Sequence, residues 1–294
     1  MLKIDPKNTP VPKVHRAMLG AVAPRPIAFA STIDPDGNPN LSPFSFFNAF
    51  GANPPTLIFS PSRRGRDNTT KHTYENLKEV PEVVINVVNF KIVEQMNLAS
   101  TDFPRGINEF AKSGLTPVKS ELIKPFRVKE SPVQFECKVN QIIEMGDQGG
   151  AGNLIICEIL LIHIDESVLD EKGIIVPQKI DLVGRMGGDY YCRASGESIF
   201  EVKKPHATVG IGIDQLPDKI KFSKYLTGNE LGKLGNIEAL PTGDEVKKFI
   251  GQPNYAGGYN MNNNEKEKMV FVQAKRLIAE NNIQDAVKLL MGLL

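Results

Sequence analysis

The chain has 294 residues, long enough for about two domains or for one domain with a generous extension, and long enough to bury a core without disulfide staples. Its 35 basic and 34 acidic side chains leave a net charge of +1, which excludes a protein that works by global attraction to nucleic acid or to an anionic membrane. Three cysteines without a C-x-x-C pair make no disulfide framework, the longest apolar stretch (153–164) is broken by Glu158, and the N-terminus has no apolar signal core. These features predict a soluble, cytoplasmic protein in a reducing compartment.

In chain order, runs rich in β-branched and aromatic residues predict strands over 26–33, 41–47, 56–60, 83–88, 133–145 and 154–164. The first two are joined by a turn at 34–38 in which Gly37 can take a positive φ, and the last two by a glycine-rich connection at 146–152 that reads as a flexible hairpin tip. Helical patterns are short: 71–79, 91–99 and 107–112. Many strands with few helices between them favour an antiparallel barrel over a doubly wound parallel sheet. From 206 the pattern loosens, predicting an irregular extension and an Asn-rich linker to residue 264, followed by a helical hairpin at 265–294 with helices over 266–280 and 283–293 and Asn282 as N-cap of the second. The domain expectation is therefore 1–205, 206–264 and 265–294.

Two segments carry candidate chemistry. Between Arg63 and Lys71, four basic residues face one acid, Asp67, so the local charge of +3 exceeds that of the whole chain. The segment leaves a strand at Ser60 and leads into a helix, where unpaired N–H groups and the helix dipole favour an anion and Arg or Lys adds charge-assisted bonds. Phosphate binding is one reading; a solvated basic loop with Thr73 as a helix cap is the other. At 40–48, Ser45, Phe46, Phe47 and Asn48 end the strand alternation. Two rings beside a hydroxyl and a carboxamide suit a planar heterocycle, and they equally suit ordinary core phenylalanines at a strand end. His163 and Asp165 share a strand face but are too few for a metal site, and Cys137 and Cys157 read as small core residues. No nucleotide fingerprint and no hydrolase motif is present.

The runs 24–32 (PRPIAFAST), 36–48 (DGNPNLSPFSFFN) and 53–60 (NPPTLIFS) resemble the flavin reductase-like FMN-binding proteins of the split-barrel class, the group that includes flavoredoxin. The runs 71–76, 82–86, 99–100, 108–110 and 182–190 continue the resemblance, which covers residues 14–205. It implies a mainly β fold with peripheral helices, an antiparallel Greek-key split barrel that binds FMN near a homodimer interface, followed by a mostly helical C-terminal extension. By the same resemblance, Ser45, Phe46, Phe47 and Asn48 contact the isoalloxazine ring, and Ser60, Arg64, Lys71 and Thr73 contact the phosphate or ribityl chain. Ser100 approaches the ring edge. Many members have Lys-Asp-Thr where this chain has Lys71, His72 and Thr73, so nothing transfers to His72, although a protonated His72 would suit a phosphate.

The resemblance also implies the activity. As an enzyme the protein would take hydride from NAD(P)H onto FMN and hand electrons to a partner oxygenase or other redox protein, with no side chain needed as a catalytic acid or nucleophile. As a carrier, it would hold FMN and receive electrons from another redox protein. Neither role involves nucleic acid or membrane.

Overall fold

The computed structural model describes residues 1–202, 209–252 and 263–294. They divide into two compact units, Met1–Phe200 and Glu201–Leu294.

The first unit opens with α1 (Val11–Ala21), begun where Pro12 sits at a helix start that needs no N–H donor. Strands β1 (Ala28–Ile33) and β2 (Pro39–Phe44) follow as a hairpin. In its turn the Asp34 carboxylate accepts from the backbone N–H of Asp36 and Asn38, and Gly37 takes φ 86°. Next come β3 (Phe47–Ala52), β4 (Pro55–Phe59), α2 (His72–Glu79), β5 (Glu82–Val87), α3 (Val93–Ala99) and α4 (Glu109–Ser113). Two short strands, β6 (Pro117–Val118) and β7 (Arg127–Val128), pair with each other and lead into the long β8 (Val133–Glu144) and β9 (Asn153–Ile164). Helix α5 (Pro177–Ile180) and the ribbon β10 (Val183–Arg185) with β11 (Tyr191–Arg193) complete the unit.

Seven strands form one antiparallel sheet in the order β2-β1-β5-β8-β9-β4-β3, the split barrel. Its interior holds Phe59, Val83, Ile85, Cys137, Ile155 and Cys157, all fully buried. Every residue of β1 is buried, which alternation alone would not give. Ala28 and Ala30 face the barrel interior, whereas Phe29 faces a second apolar layer with Leu41, Ile92, Met96 and Phe110, under α3 and α4. Burial pushes the Cys137 thiol up to about 12 and the Cys157 thiol well above its ordinary value, so both are inert packing groups. Buried Asn86 ties three strands together: Nδ2 donates to the Phe29 carbonyl at 2.9 Å and Oδ1 accepts from Val128 N–H at 2.9 Å. Asn86→Ala is expected to lower stability by about 1–3 kcal/mol, read from urea denaturation, because it leaves two buried backbone groups unpaired.

The sequence pattern runs one strand through 41–47, whereas the chain bends at Ser45 and Phe46 and resumes as β3, whose side chains after Phe47 are exposed. With no apolar face, β3 has no alternation to read.

In the second unit, α6 (Asp218–Lys221), α7 (Gly228–Leu234) and α8 (Gly243–Ile250) fall where an irregular extension is expected. Thr227 with Glu230 and Thr242 with Glu245 form capping boxes that start α7 and α8. These helices share one core with α9 (Asn263–Ala279) and α10 (Ile283–Met291), centred on Ile220, Leu234, Phe271, Ala274, Ala286 and Leu290. Asn282 precedes α10, but its side chain makes no capping bond. The linker expected at 259–264 lies outside the described residues as far as 262. Among the described residues, no helix is long and apolar enough to cross a membrane.

Candidate functional site

Ser60 directly follows β4, the neighbour of β3 in the sheet, and its backbone N–H donates to the Phe46 carbonyl at 2.9 Å. This bond joins the aromatic segment to the start of the basic segment. Ser60 is 7% exposed, and its hydroxyl oxygen has no hydrogen-bond partner. Buried hydroxyls are nearly always paired, so an unpaired one beside a basic segment marks a place for a ligand acceptor. The glycine-rich tip at 146–152 is packed here rather than free. Arg63 N–H donates to the Ala151 carbonyl at 2.9 Å, Gly150 N–H donates back to the Arg63 carbonyl at 3.0 Å, and a Cβ on Gly152 would stand 3.0 Å from Ser60 Oγ. Asn153, next in the chain, is fully buried, donates to the Pro61 carbonyl at 3.0 Å and leaves its Oδ1 unpaired.

Three of the four cations of the basic segment converge on one carboxylate, Asp102, while Arg63 donates to Asn68. Arg64 reaches it with Nε at 3.1 Å to both oxygens and Nη2 at 2.5 Å; Arg66 also bonds it, and Lys71 Nζ lies at 3.7 Å. Asp102 is two residues beyond Ser100, so the basic segment and the Ser100 loop meet here. The Arg64 hydrogen bonds, opposed by burial and aided by Lys71 and Arg66, hold the Asp102 carboxyl down at about 2. A carboxyl with a depressed folded-state pKa stabilises the fold above its ordinary 3.8, and that contribution is lost as pH falls from about 4 to about 2. Asp102→Asn is therefore expected to melt below the wild type at pH 7, with the gap closing as pH approaches 2 in a series of thermal melts.

The other expected site residues occupy distinct places. Phe46 is half-buried and meets the His15 ring edge-on at 6.3 Å, while Phe47 packs against the barrel interior. Asn48 is exposed, its Oδ1 accepting from Ala49 N–H. Thr73 is buried inside the first turn of α2, where its hydroxyl oxygen accepts from Asn40 at 2.9 Å. Ser100 is exposed and donates to the Asn97 carbonyl. His72 departs from the protonated state that would suit a phosphate, because burial pushes its pKa below the ordinary 6.5 and leaves it neutral at pH 7. Burial also lowers the Lys71 ammonium, against the pull of Asp102. His163 donates Nε2–H to buried Glu136 at 2.7 Å, so it is a paired structural histidine.

Three contributors escape sequence reasoning: Asp102, Gly152 and Arg25, whose Nε donates to Ser45 Oγ at 3.3 Å. A cavity of about 370 Å³ lined by Phe90, Asn97, Arg185, Tyr191 and Arg193 contains none of the expected residues.

The unpaired Ser60 hydroxyl, the room left by Gly152 and the gathered cations fit a phosphate-bearing group, with the Phe46 bend beside it. Residues 19–181 match the family described as flavin reductase like domain, and the chain belongs to that family.

An uncharacterised protein of Aquifex aeolicus is 40% identical over 196 residues, 67% of this chain and 97% of its own length. Nitrilotriacetate monooxygenase component B from Bacillus cereus superposes with a TM-score of 0.64 at 29% identity, covering 69% of this chain and 98% of that one. The Pseudomonas fluorescens 2-nitrobenzoate 2-nitroreductase NbaA superposes with a TM-score of 0.63 at 27% identity, covering 72% and 100%. The family places the chain among flavin-related oxidoreductases.

Proposed function

We propose that the protein is an FMN-dependent oxidoreductase that accepts hydride from NAD(P)H and delivers electrons to a partner oxygenase or another redox protein. The observation that carries this reading is the buried, unpaired Ser60 hydroxyl in a junction whose cations Arg64 and Lys71 share a single carboxylate, Asp102. In this reading Ser60 donates to a phosphate oxygen, and Arg64 and Lys71 turn from the Asp102 carboxylate to the phosphate. Ser45, Phe46, Phe47 and Asn48 line the ring, Thr73 steadies the first turn of α2 through Asn40, and Ser100 closes the ring edge. When bound, FMN supplies the hydride acceptor, so no side chain is assigned as acid, base or nucleophile. The likeness to a monooxygenase component supports a partner oxygenase.

A homodimer is supported by an apolar stripe on β9, where Leu160, Ile162 and Ile164 are exposed on one strand face. Ile162→Asp is expected to convert the dimer to a monomer in sedimentation velocity. The three free cysteines agree with a reducing cytoplasm.

Anaerobic addition of NADH or NADPH to the FMN-loaded protein tests the activity. Bleaching of the flavin's visible band is expected with at least one of them. Failure with both would make the protein a carrier reduced by another redox protein.

A further inference from the structure

Arg25 lies between Pro24 and Pro26, where β1 is about to begin, and is only 4% exposed. Its guanidinium is tied by neutral acceptors alone. Nη1 donates to the carbonyls of Leu19, at 2.7 Å, and Val22; Nη2 donates to the Met186 carbonyl at 2.8 Å; Nε donates to Ser45 Oγ at 3.3 Å. Among the described residues no carboxylate pairs with it. The neighbouring cation, Arg185, forms an antiparallel backbone bridge with Arg25 and lies over the Tyr191 ring; among the described residues its carboxylate partner is Asp189, fully exposed and 3.9 Å away. Buried guanidinium groups are ordinarily paired, because a charge removed from water needs compensation. Here the compensation is a ring of carbonyl dipoles, and a net positive charge is left directly behind the bend that carries Ser45 and Phe46. Burial, with Arg185 adding to it, works against the charged form of Arg25, yet a guanidinium keeps its proton at any physiological pH.

The Ser45 contact has a definite polarity. Arg25 has no acceptor atom, so Ser45 Oγ must accept from it, and the Ser45 proton is thereby directed away from Arg25. We propose that Arg25 is a positioning and charge-setting residue for the flavin: it makes Ser45 an outward hydrogen-bond donor and holds an unneutralised positive charge behind the ring. The inference rests on the FMN reading above. A flavin ring gains negative charge as it is reduced, so a fixed cation behind it favours the reduced form, and charge near the ring is one of the protein's levers on flavin electronics.

The test uses the FMN-loaded full chain, with the midpoint potential measured against a reference dye during slow anaerobic reduction. Arg25→Met is expected to shift the equilibrium about tenfold toward the oxidised form, about 30 mV lower for a two-electron couple. Arg25→Lys keeps the charge and is expected to stay near the wild-type potential. Ser45→Ala leaves Arg25 and its backbone bonds in place, so it tests the donor even if Arg25→Met fails to fold, and it is expected to weaken FMN binding about five- to tenfold. An unchanged potential in Arg25→Met, an equal fall in Met and Lys variants, or unchanged FMN binding by Ser45→Ala would each overturn the inference. Failure of the wild type to bind FMN would instead remove the reading beneath it.

Discussion

Replacing Arg64 and Lys71 together with alanine is expected to weaken FMN binding by at least two orders of magnitude while leaving riboflavin binding unchanged. Each charge-assisted bond to a phosphate contributes about 1.5–3 kcal/mol, and two at the lower end give about 3 kcal/mol, more than a hundredfold in affinity. The lower end applies because neither cation is idle in the free protein. Both are engaged with Asp102, so ligand binding exchanges one anion for another. Riboflavin lacks the phosphate and serves as the control that separates a lost contact from a damaged pocket. Fluorescence titration of both ligands reads the effect, and a double variant that purifies with a full complement of FMN would place the phosphate elsewhere.

The second large effect concerns the barrel rather than the ligand. Glu136 on β8 is fully buried and accepts from the backbone N–H of Glu121 at 2.9 Å and of Leu122 at 2.7 Å, as well as from His163, with Arg127 Nε at 3.8 Å. Burial alone would push its carboxyl up, but these donors outweigh burial and hold it below the ordinary 4.5. Its contribution is therefore present above that value and lost as pH falls below it. Glu136→Ala strips the turn at 121–122 of its acceptors and leaves His163 and Arg127 without their shared partner. The expected cost is about 3–5 kcal/mol in urea denaturation, the range for breaking a buried charged cluster from one side. Glu136→Gln keeps the shape and one acceptor oxygen and is expected to cost less, about 1–3 kcal/mol. A Glu136→Ala protein within about 1 kcal/mol of the wild type would show that the cluster is not what holds the turn.

The basic segment is legible in the sequence because its chemistry is contiguous. Ser60, Arg64 and Lys71 fall within a single strand-to-helix junction, and local charge alone singles them out against a neutral chain. Asp102, Gly152 and Asn153 reach the same place through sheet topology and a loop crossing, so no local spacing betrays them. Arg25 is hidden differently: flanked by prolines and followed by an apolar strand, it reads as punctuation, and only its tertiary partner, Ser45, gives it meaning. The long strands β8 and β9 announce themselves by β-branched runs, whereas β3 exposes Asn48, Ala49, Phe50 and Gly51 and has no apolar face to leave a pattern. Helices α6 to α8 have four to eight residues each, too short for helical periodicity to emerge; the Thr-x-x-Glu boxes at Thr227 and Thr242 were their readable signal.

In the proposed complex a flavin's phosphate occupies the junction of Ser60, Arg64 and Lys71. The most direct test is the pair of dissociation constants for FMN and riboflavin on the wild-type protein at fixed ionic strength. FMN is expected to bind at least about a hundredfold more tightly, from the two charged bonds that riboflavin cannot make. Equal affinity for the two would contradict it.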